Sequence, residues 1–201
     1  APCGVVRKVA YSALLATMLF GAGSVGLAVL VLALTRITPL SELLDVSHVA
    51  VTGIGFYLVV LLVSFAVFFA GLVGALVVVM TVPRALHLLI SPNKIYPLFG
   101  VRFIAQQLIT LLTNANVFVR LFGDSSAIVH YLRVLGYDLG IIEQTGSNFG
   151  TEQAQDSPYL TKVGTGSMVS DGVVIMNAEY SGTSFAVRQA TIGERNFLGN
   201  N

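Results

Sequence analysis

The stretch 161-TKVGTGSMVSDGVVI-175 decides how the second half of this chain is read. Thr161, Ser167 and Val173 stand six residues apart, and Val163, Val169 and Ile175 stand six apart two positions behind them. The pairing returns as Ala190 with Ile192 and as Asn196 with Leu198. Aliphatic–glycine pairs recur at Val163-Gly164, Ile192-Gly193 and Leu198-Gly199, with Phe149-Gly150 a looser match. This is the hexapeptide pattern of a left-handed parallel β-helix. Each short strand forms one face of a triangular coil. Its aliphatic residue points inward, a small residue two positions earlier fits beside it, and glycine or a small polar residue turns the corner. The expected inward aliphatics are Val163, Val169, Ile175, Ile192 and Leu198. The competing reading is a run of ordinary short strands with glycine turns; antiparallel hairpins between 160 and 200 would overturn the β-helix reading. Ile175 to Ile192 is one residue short of three hexads, so 176-MNAEYSGTSFAVRQ-189 holds a slip or an irregular loop. The closing 196-NFLGNN-201 is no cap: a solenoid coil gains stability by stacking on its neighbours. The expectation is a β-helix incomplete at its C-terminus, in a chain that continues.

Upstream, the composition changes character. The chain has 201 residues, 55% hydrophobic and 10% charged, with mean hydropathy +0.81. Soluble domains carry about a quarter charged residues, so this is the composition of a membrane protein. Residues 1–119 hold six Lys/Arg and two Asp/Glu, whereas residues 120–201 hold five Lys/Arg and eight Asp/Glu. Tyr11 to Leu34 carries no charge and as a helix spans about 36 Å, enough for a ~30 Å hydrocarbon core. Gly53 to Val82 is a second uncharged run, long enough to tilt or project. Ala66, Ala70 and Gly74 in the second run, and Ala22 and Gly26 in the first, recur every four residues, a spacing that lets helices approach closely in lipid. Arg7 and Lys8 precede the first run, and Arg84 and Lys94 follow the second. The loop between sets Arg36 against Glu42 and Asp45. The positive-inside rule puts both ends, and the β-helix, in the cytoplasm of a multi-pass cell-membrane protein.

Three segments follow: 1–96, a transmembrane helical hairpin with spans about 11–34 and 53–82; 97–140, an interfacial helix and a linker helix; and 141–201, the start of the β-helix. Within 101–119, Arg102, Gln106, Thr110 and Asn114 recur every four residues, with Phe103, Ile104, Leu108, Leu111, Leu112 and Ala115 opposite. That is an amphipathic helix suited to lying at the bilayer surface; a third crossing is the other reading. Next, 123-GDSSAIVHYLRVLGYDLG-140 reads as a helix capped by Asp124 or Ser125 and ended by Gly136. Its apolar face is Ala127, Ile128, Tyr131, Leu132 and Leu135, and its polar face Ser126, His130 and Arg133.

The runs 121-LFGDSSAIVHYLRVLGYDLG-140, 143-EQTGSNFGTEQ-153, 163-VGTGSMVSDG-172, 177-NAEYSGTSFAV-187 and 192-IGERNFLGNN-201 are similar to the C-terminal membrane region of nonribosomal peptide synthetases of the ε-poly-L-lysine synthetase type. The resemblance covers roughly residues 120–201. It implies tandem acyltransferase-like domains, interleaved with transmembrane helices, that join carrier-bound amino acids to a free amine. No adenylation signature or carrier-domain serine motif stands in this chain. The implied role is part of a membrane-anchored condensing domain. It would bind no cofactor itself and take its acyl group from a phosphopantetheine-tethered aminoacyl carrier. Implied partners are the lipid bilayer, a carrier domain in the same or another chain, and neighbouring β-helix domains in a pseudo-trimer or oligomer. The alternatives are a non-catalytic scaffold or export segment of the same synthetase, and a free-standing hexapeptide acetyltransferase using coenzyme A.

Amine attack on a thioester needs a base for the amine proton and donors for the developing oxyanion. Of three histidines, His48 falls in the external loop and His87 beside Arg84 reads as an interfacial anchor. His130 remains as candidate base, against a packing or capping role. Asp171 and Glu179, with Asp124, are candidates to orient the base or hold an amine cation. Asp171-Gly172 is more simply a corner turn and Asp124 a helix cap. Asn148 is a candidate oxyanion donor or a turn residue. The single cysteine, Cys3, forms no intrachain disulfide, and no Cys/His cluster suggests a metal. The acidic second half has no basic patch interleaved with aromatics, so nucleic acid is not an expected partner.

Overall fold

The computed structural model describes residues 4–36, 53–123, 127–145, 154–169 and 174–198. The chain divides into two compact units, Val9–Ala75 and Ala1–Lys8 with Leu76–Asn201.

The first unit is made from helices α1 (Val5–Arg36) and α2 (Ile54–His87), each of which runs on into the second unit. Both are long and apolar enough to cross a membrane: mean hydropathy is 1.5 over Val5–Gly26 and 2.7 over Val60–His87. Their side chains are almost wholly unburied by protein, as helices solvated by lipid would be. Thr17 and Thr81 donate to the carbonyls of Ala13 and Val77 four residues back, so a hydroxyl in an apolar stretch is satisfied within its own helix. A Cβ added at Gly26 or Gly74, the glycines of the two small-residue stripes, would meet nothing within 4 Å among the described residues.

In the second unit, strand β1 (Ile95–Pro97) leads into α3 (Val101–Thr113), α4 (Asn116–Gly123) and α5 (Ala127–Leu135). The expected single helix over 101–119 is broken at Asn114. α3 covers 13 residues, about 20 Å, too short to cross a membrane. Three of its four stripe residues, Gln106, Thr110 and Asn114, face protein, while Arg102 is exposed. Gln106 is fully buried, and Gln106 Nε2 and Thr110 Oγ1 donate to the Asp156 carbonyl at 2.8 and 3.0 Å. Asn114 clamps the backbone of Gln155 from both sides: Nδ2 donates to its carbonyl at 2.7 Å and Oδ1 accepts its N–H at 3.0 Å. The stripe exists to satisfy a bend whose backbone groups have no ladder partner. Val101 and Leu111 of the same helix are exposed.

α5 buries Ile128, Tyr131, Leu132 and Leu135, as its pattern requires, while Ala127 stays exposed. Gly136 ends it at φ 130°, and the Gly136 and Tyr137 N–H groups both reach the Leu132 carbonyl at 3.1 Å. The proposed caps Asp124 and Ser125 lie outside the described residues.

The strands that follow are β2 (Asp138–Leu139), β3 (Ile142–Thr145), β4 (Ala154–Gln155), β5 (Thr161–Val163), β6 (Ser167–Val169), β7 (Val174–Ile175), β8 (Ala178–Tyr180), β9 (Ser184–Val187), β10 (Ala190–Ile192) and β11 (Phe197–Leu198). They form three parallel ladders, β2-β5-β10, β3-β6-β11 and β4-β7, each taking one strand from each successive circuit of the chain. The ladders begin at Asp138, three residues before the expected boundary at 141. The hexad positions stack in register: Leu139, Val163 and Ile192 are paired, and so are Val169 and Leu198. Thr161, Val163 and Ser167 are buried, whereas Ile175, Ile192 and Leu198 are half-buried. The side chain of Val169 lies outside the described residues. Stacking is tight at the corners. The Gly140 N–H donates to the Val163 carbonyl at 2.8 Å, and the Gly164 N–H to the Ile192 carbonyl at 3.0 Å.

One antiparallel hairpin does stand between 160 and 200: β8 and β9, with β1 on the far edge of β9. It occupies the segment where the hexad phase slips, and among the described residues the pairings at the hexads are parallel. Tyr96, Phe103 and Phe185 lock it to the helices, with ring centres 5.7 Å (Tyr96–Phe185) and 5.5 Å (Phe103–Phe185) apart. Phe185 and Val187 are almost completely buried.

Candidate functional site

Of the three sequence-derived catalytic candidates, His130 and Glu179 are described and no hydrogen bond or ion pair joins them. His130 sits on the exposed side of α5. Glu179 lies on β8, where its carboxylate meets Arg188 Nε at 2.7 Å in an exposed ion pair. Asp171 lies outside the described residues, as do Asp124 and Asn148. Glu179 serves instead to tie β8 to the chain leaving β9, which keeps the hairpin closed.

The structure gathers other polar groups. At the C-terminal end of α2 the His87 ring stacks on Tyr159, with centres 4.6 Å apart and planes 21° apart. This placement differs from a surface anchor: His87 is half-buried beneath the 3₁₀ turn Pro158–Leu160 that opens β5. Tyr159 in turn covers Gly136, where a Cβ would fall 2.4 Å from its ring. Only glycine fits there. Arg84 donates to the Val134 carbonyl at 2.8 Å, binding α2 to the end of α5. His87 Nδ1, Tyr159 Oη and Tyr131 Oη are buried with no hydrogen-bond partner among the described residues. Burial pushes both the Tyr131 and the Tyr159 phenol up to about 12, with Arg84 pulling Tyr159 slightly the other way.

A second buried polar knot lies at Gln155-Asp156-Ser157. The Asp156 carboxylate accepts the Ala178 N–H at 2.9 Å. Asn177 clamps Ser157 as Asn114 clamps Gln155, accepting its N–H and donating to its carbonyl, both at 3.0 Å. The sequence signal for this knot was present in part, since the four-residue polar stripe of α3 is one half of it. Nothing in the sequence indicated that Gln155 to Ser157 was the other half.

The His130 imidazole is exposed to solvent, whereas His87 Nδ1 is buried beside the Tyr159 stack. Among the described residues there is no group of three His, Cys, Asp or Glu able to hold a metal. The chain matches no protein-family model, and comparisons with curated proteins and with solved structures return no match.

Proposed function

We propose that this segment is part of a membrane-anchored, acyltransferase-like condensing domain. It would pass an aminoacyl group from a carrier-bound thioester to an amine acceptor in nonribosomal peptide synthesis. The observation that carries the reading is the set of three parallel ladders filled one strand per circuit. On this reading they are the three faces of a left-handed parallel β-helix. A clamp such as Asn114 on Gln155, and a hairpin held out at the slip, let the coil depart from strict hexads without losing its stack. Two long apolar helices supply the anchor. Arg7 lies beside Gly100, its Nη2 3.8 Å from where a Cβ would stand. That brings the basic start of α1 next to the segment that follows α2, as a hairpin with both ends on one side of the bilayer requires.

In the proposed reaction the amine nitrogen attacks the thioester carbonyl, its proton passes to a base, and the carrier thiol leaves. His130 is the base by elimination among the three histidines, and its exposed position on α5 supports that choice. Asp171 is the candidate for holding the amine cation, and a neighbouring β-helix domain and the carrier complete the site. The test is His130→Gln and His130→Ala in the full synthetase, with aminoacyl-carrier loading measured separately from peptide-bond formation. A base contributes about 10²–10⁴-fold, so both variants lose at least about 10²-fold in bond formation with loading intact. Normal bond formation by the Gln variant removes His130 from the chemistry.

The non-catalytic reading, a scaffold or export segment of the same synthetase, draws on one observation. Glu179 is already committed to Arg188 and is therefore an architectural carboxylate. The same assay decides between them.

A further inference from the structure

We propose that the groove where α2 gives way to β1 and α3 binds the phosphate headgroup of an anionic phospholipid. The groove holds about 350 Å³ and is lined by Leu89, Pro97, Gly100, Val101 and Arg102. Its two ends differ in chemistry. Leu89 and Val101, at its apolar side, are 45% and 73% exposed, a costly arrangement in water and an ordinary one against acyl chains. On the polar side Arg102 lines the groove, and the Arg7 guanidinium stands beside the lining residue Gly100. Arg102 is held with its Cζ 4.7 Å over the Tyr96 ring, so its position is fixed without an acidic partner. Arg7 Nη2 lies 3.8 Å from the Cβ position of Gly100. No Asp or Glu occurs between residues 46 and 123, and the one carboxylate on the adjoining hairpin, Glu179, is spent on Arg188. Among the described residues no ion pair engages either guanidinium group. Gly100 starts α3 without a side-chain cap, which adds the partial positive charge of a helix N-terminus to the same spot.

A lipid is the occupant because the groove is continuous with the C-terminal end of α2, the most apolar helix of the chain. A headgroup phosphate between Arg7 and Arg102 places its acyl chains along Leu88, Leu89 and that helix. A free phosphate would meet the guanidinium groups and leave the leucines in water. The inference does not depend on the catalytic reading, since it concerns the anchor alone.

The experiment uses the whole chain in mild detergent. Phosphatidylglycerol and phosphatidylcholine are titrated separately, with thermal stability and native mass spectrometry reporting retained lipid. Phosphatidylglycerol is expected to be retained and to raise the melting temperature, phosphatidylcholine much less. The double variant Arg7→Gln/Arg102→Gln should weaken apparent phosphatidylglycerol affinity by about 30-fold, from two cations near an anionic surface. Arg120→Gln, an exposed cation outside the groove, should leave it unchanged. Val101→Asp, at an exposed position that leaves the core intact, should weaken retention like the double variant. Inorganic phosphate and glycerol 3-phosphate at matched concentration should neither stabilise the protein nor displace the lipid. Equal retention of the two lipids, equal retention by the double variant, or full competition by free phosphate would each overturn the proposal.

Discussion

Replacing Gly164 by alanine is the sharpest probe of the stacked ladders. A Cβ there would stand 2.7 Å from the Glu194 nitrogen and equally close to the Gly193 carbonyl carbon and oxygen. All three are backbone atoms of the next circuit, and that circuit is held down by the Gly164 N–H on the Ile192 carbonyl at 3.0 Å. The clash cannot be relieved by a rotamer. Either the β10 strand lifts from β5 or the hydrogen bond stretches. Overpacking costs about 1–3 kcal/mol, and a backbone-on-backbone clash belongs at the upper end. Loss of unfolded-chain entropy offsets about 0.4–1 kcal/mol of this, leaving a net loss of about 2 kcal/mol. Gly182→Ala is the matched control, because nothing lies within 4 Å of its Cβ position in the β8–β9 turn. Only the entropy term acts there, so that variant should be slightly more stable than the parent. The two variants thus differ by about 3 kcal/mol. With a urea slope of about 1–3 kcal/mol per M, their midpoints separate by roughly 1–3 M in pulse proteolysis of the detergent-solubilised protein. If the two alanines shift the midpoint alike, successive circuits do not stack at this corner and the ladder register is wrong.

Three further predictions follow from the same geometry. Asn114→Ala leaves the Gln155 N–H and carbonyl without their clamp, at about 1–3 kcal/mol for each buried group; Asn114→Asp, which keeps only the acceptor, should fall between parent and Ala in the same urea assay. Tyr131 and Tyr159 have folded pKa values raised to about 12 from an ordinary 10.0. The folded state therefore keeps protons that the unfolded state releases, and stability is full below pH 10 and falls as pH rises toward 12. Tyr131→Phe and Tyr159→Phe should each flatten that alkaline fall, and an unchanged pH profile in both would show that these phenols ionise freely. For topology, in a Cys3→Ser background, Ser47→Cys should react with an impermeant thiol reagent on sealed cells and Ser181→Cys, an exposed residue of the hairpin turn, should not; labelling at Ser181 reverses the assigned orientation.

Two kinds of structure differ in how openly the sequence carries them. The hexads were legible because each strand of the parallel ladders is short and local, and its spacing repeats along the chain. Thr161, Val163 and Ser167 accordingly fall where their spacing put them. The hairpin was legible only as a fault in phase. Its identity depends on β1, whose Ile95 pairs with Ala186, and no local pattern reports a partner so distant along the chain. The candidate site fared worst. His130 and Glu179 were chosen one residue at a time, whereas a site is a set of distances. Glu179 turns out to be engaged by Arg188, a residue that looked like an ordinary surface charge.

The misreading of α3 has a more general physical cause. Amphipathic spacing says that two faces of a helix differ; it does not say which face meets protein. For a helix beside water the apolar face goes inward. Here both faces meet protein: Phe103, Ile104 and Ile109 are buried, and Gln106, Thr110 and Asn114 also go inward, because Gln155 and Asp156 leave backbone groups at a bend that only side chains can satisfy. Only Val101 and Leu111 of its large apolar residues stay exposed, a smaller cost than burying an unsatisfied carbonyl, which costs several kcal/mol.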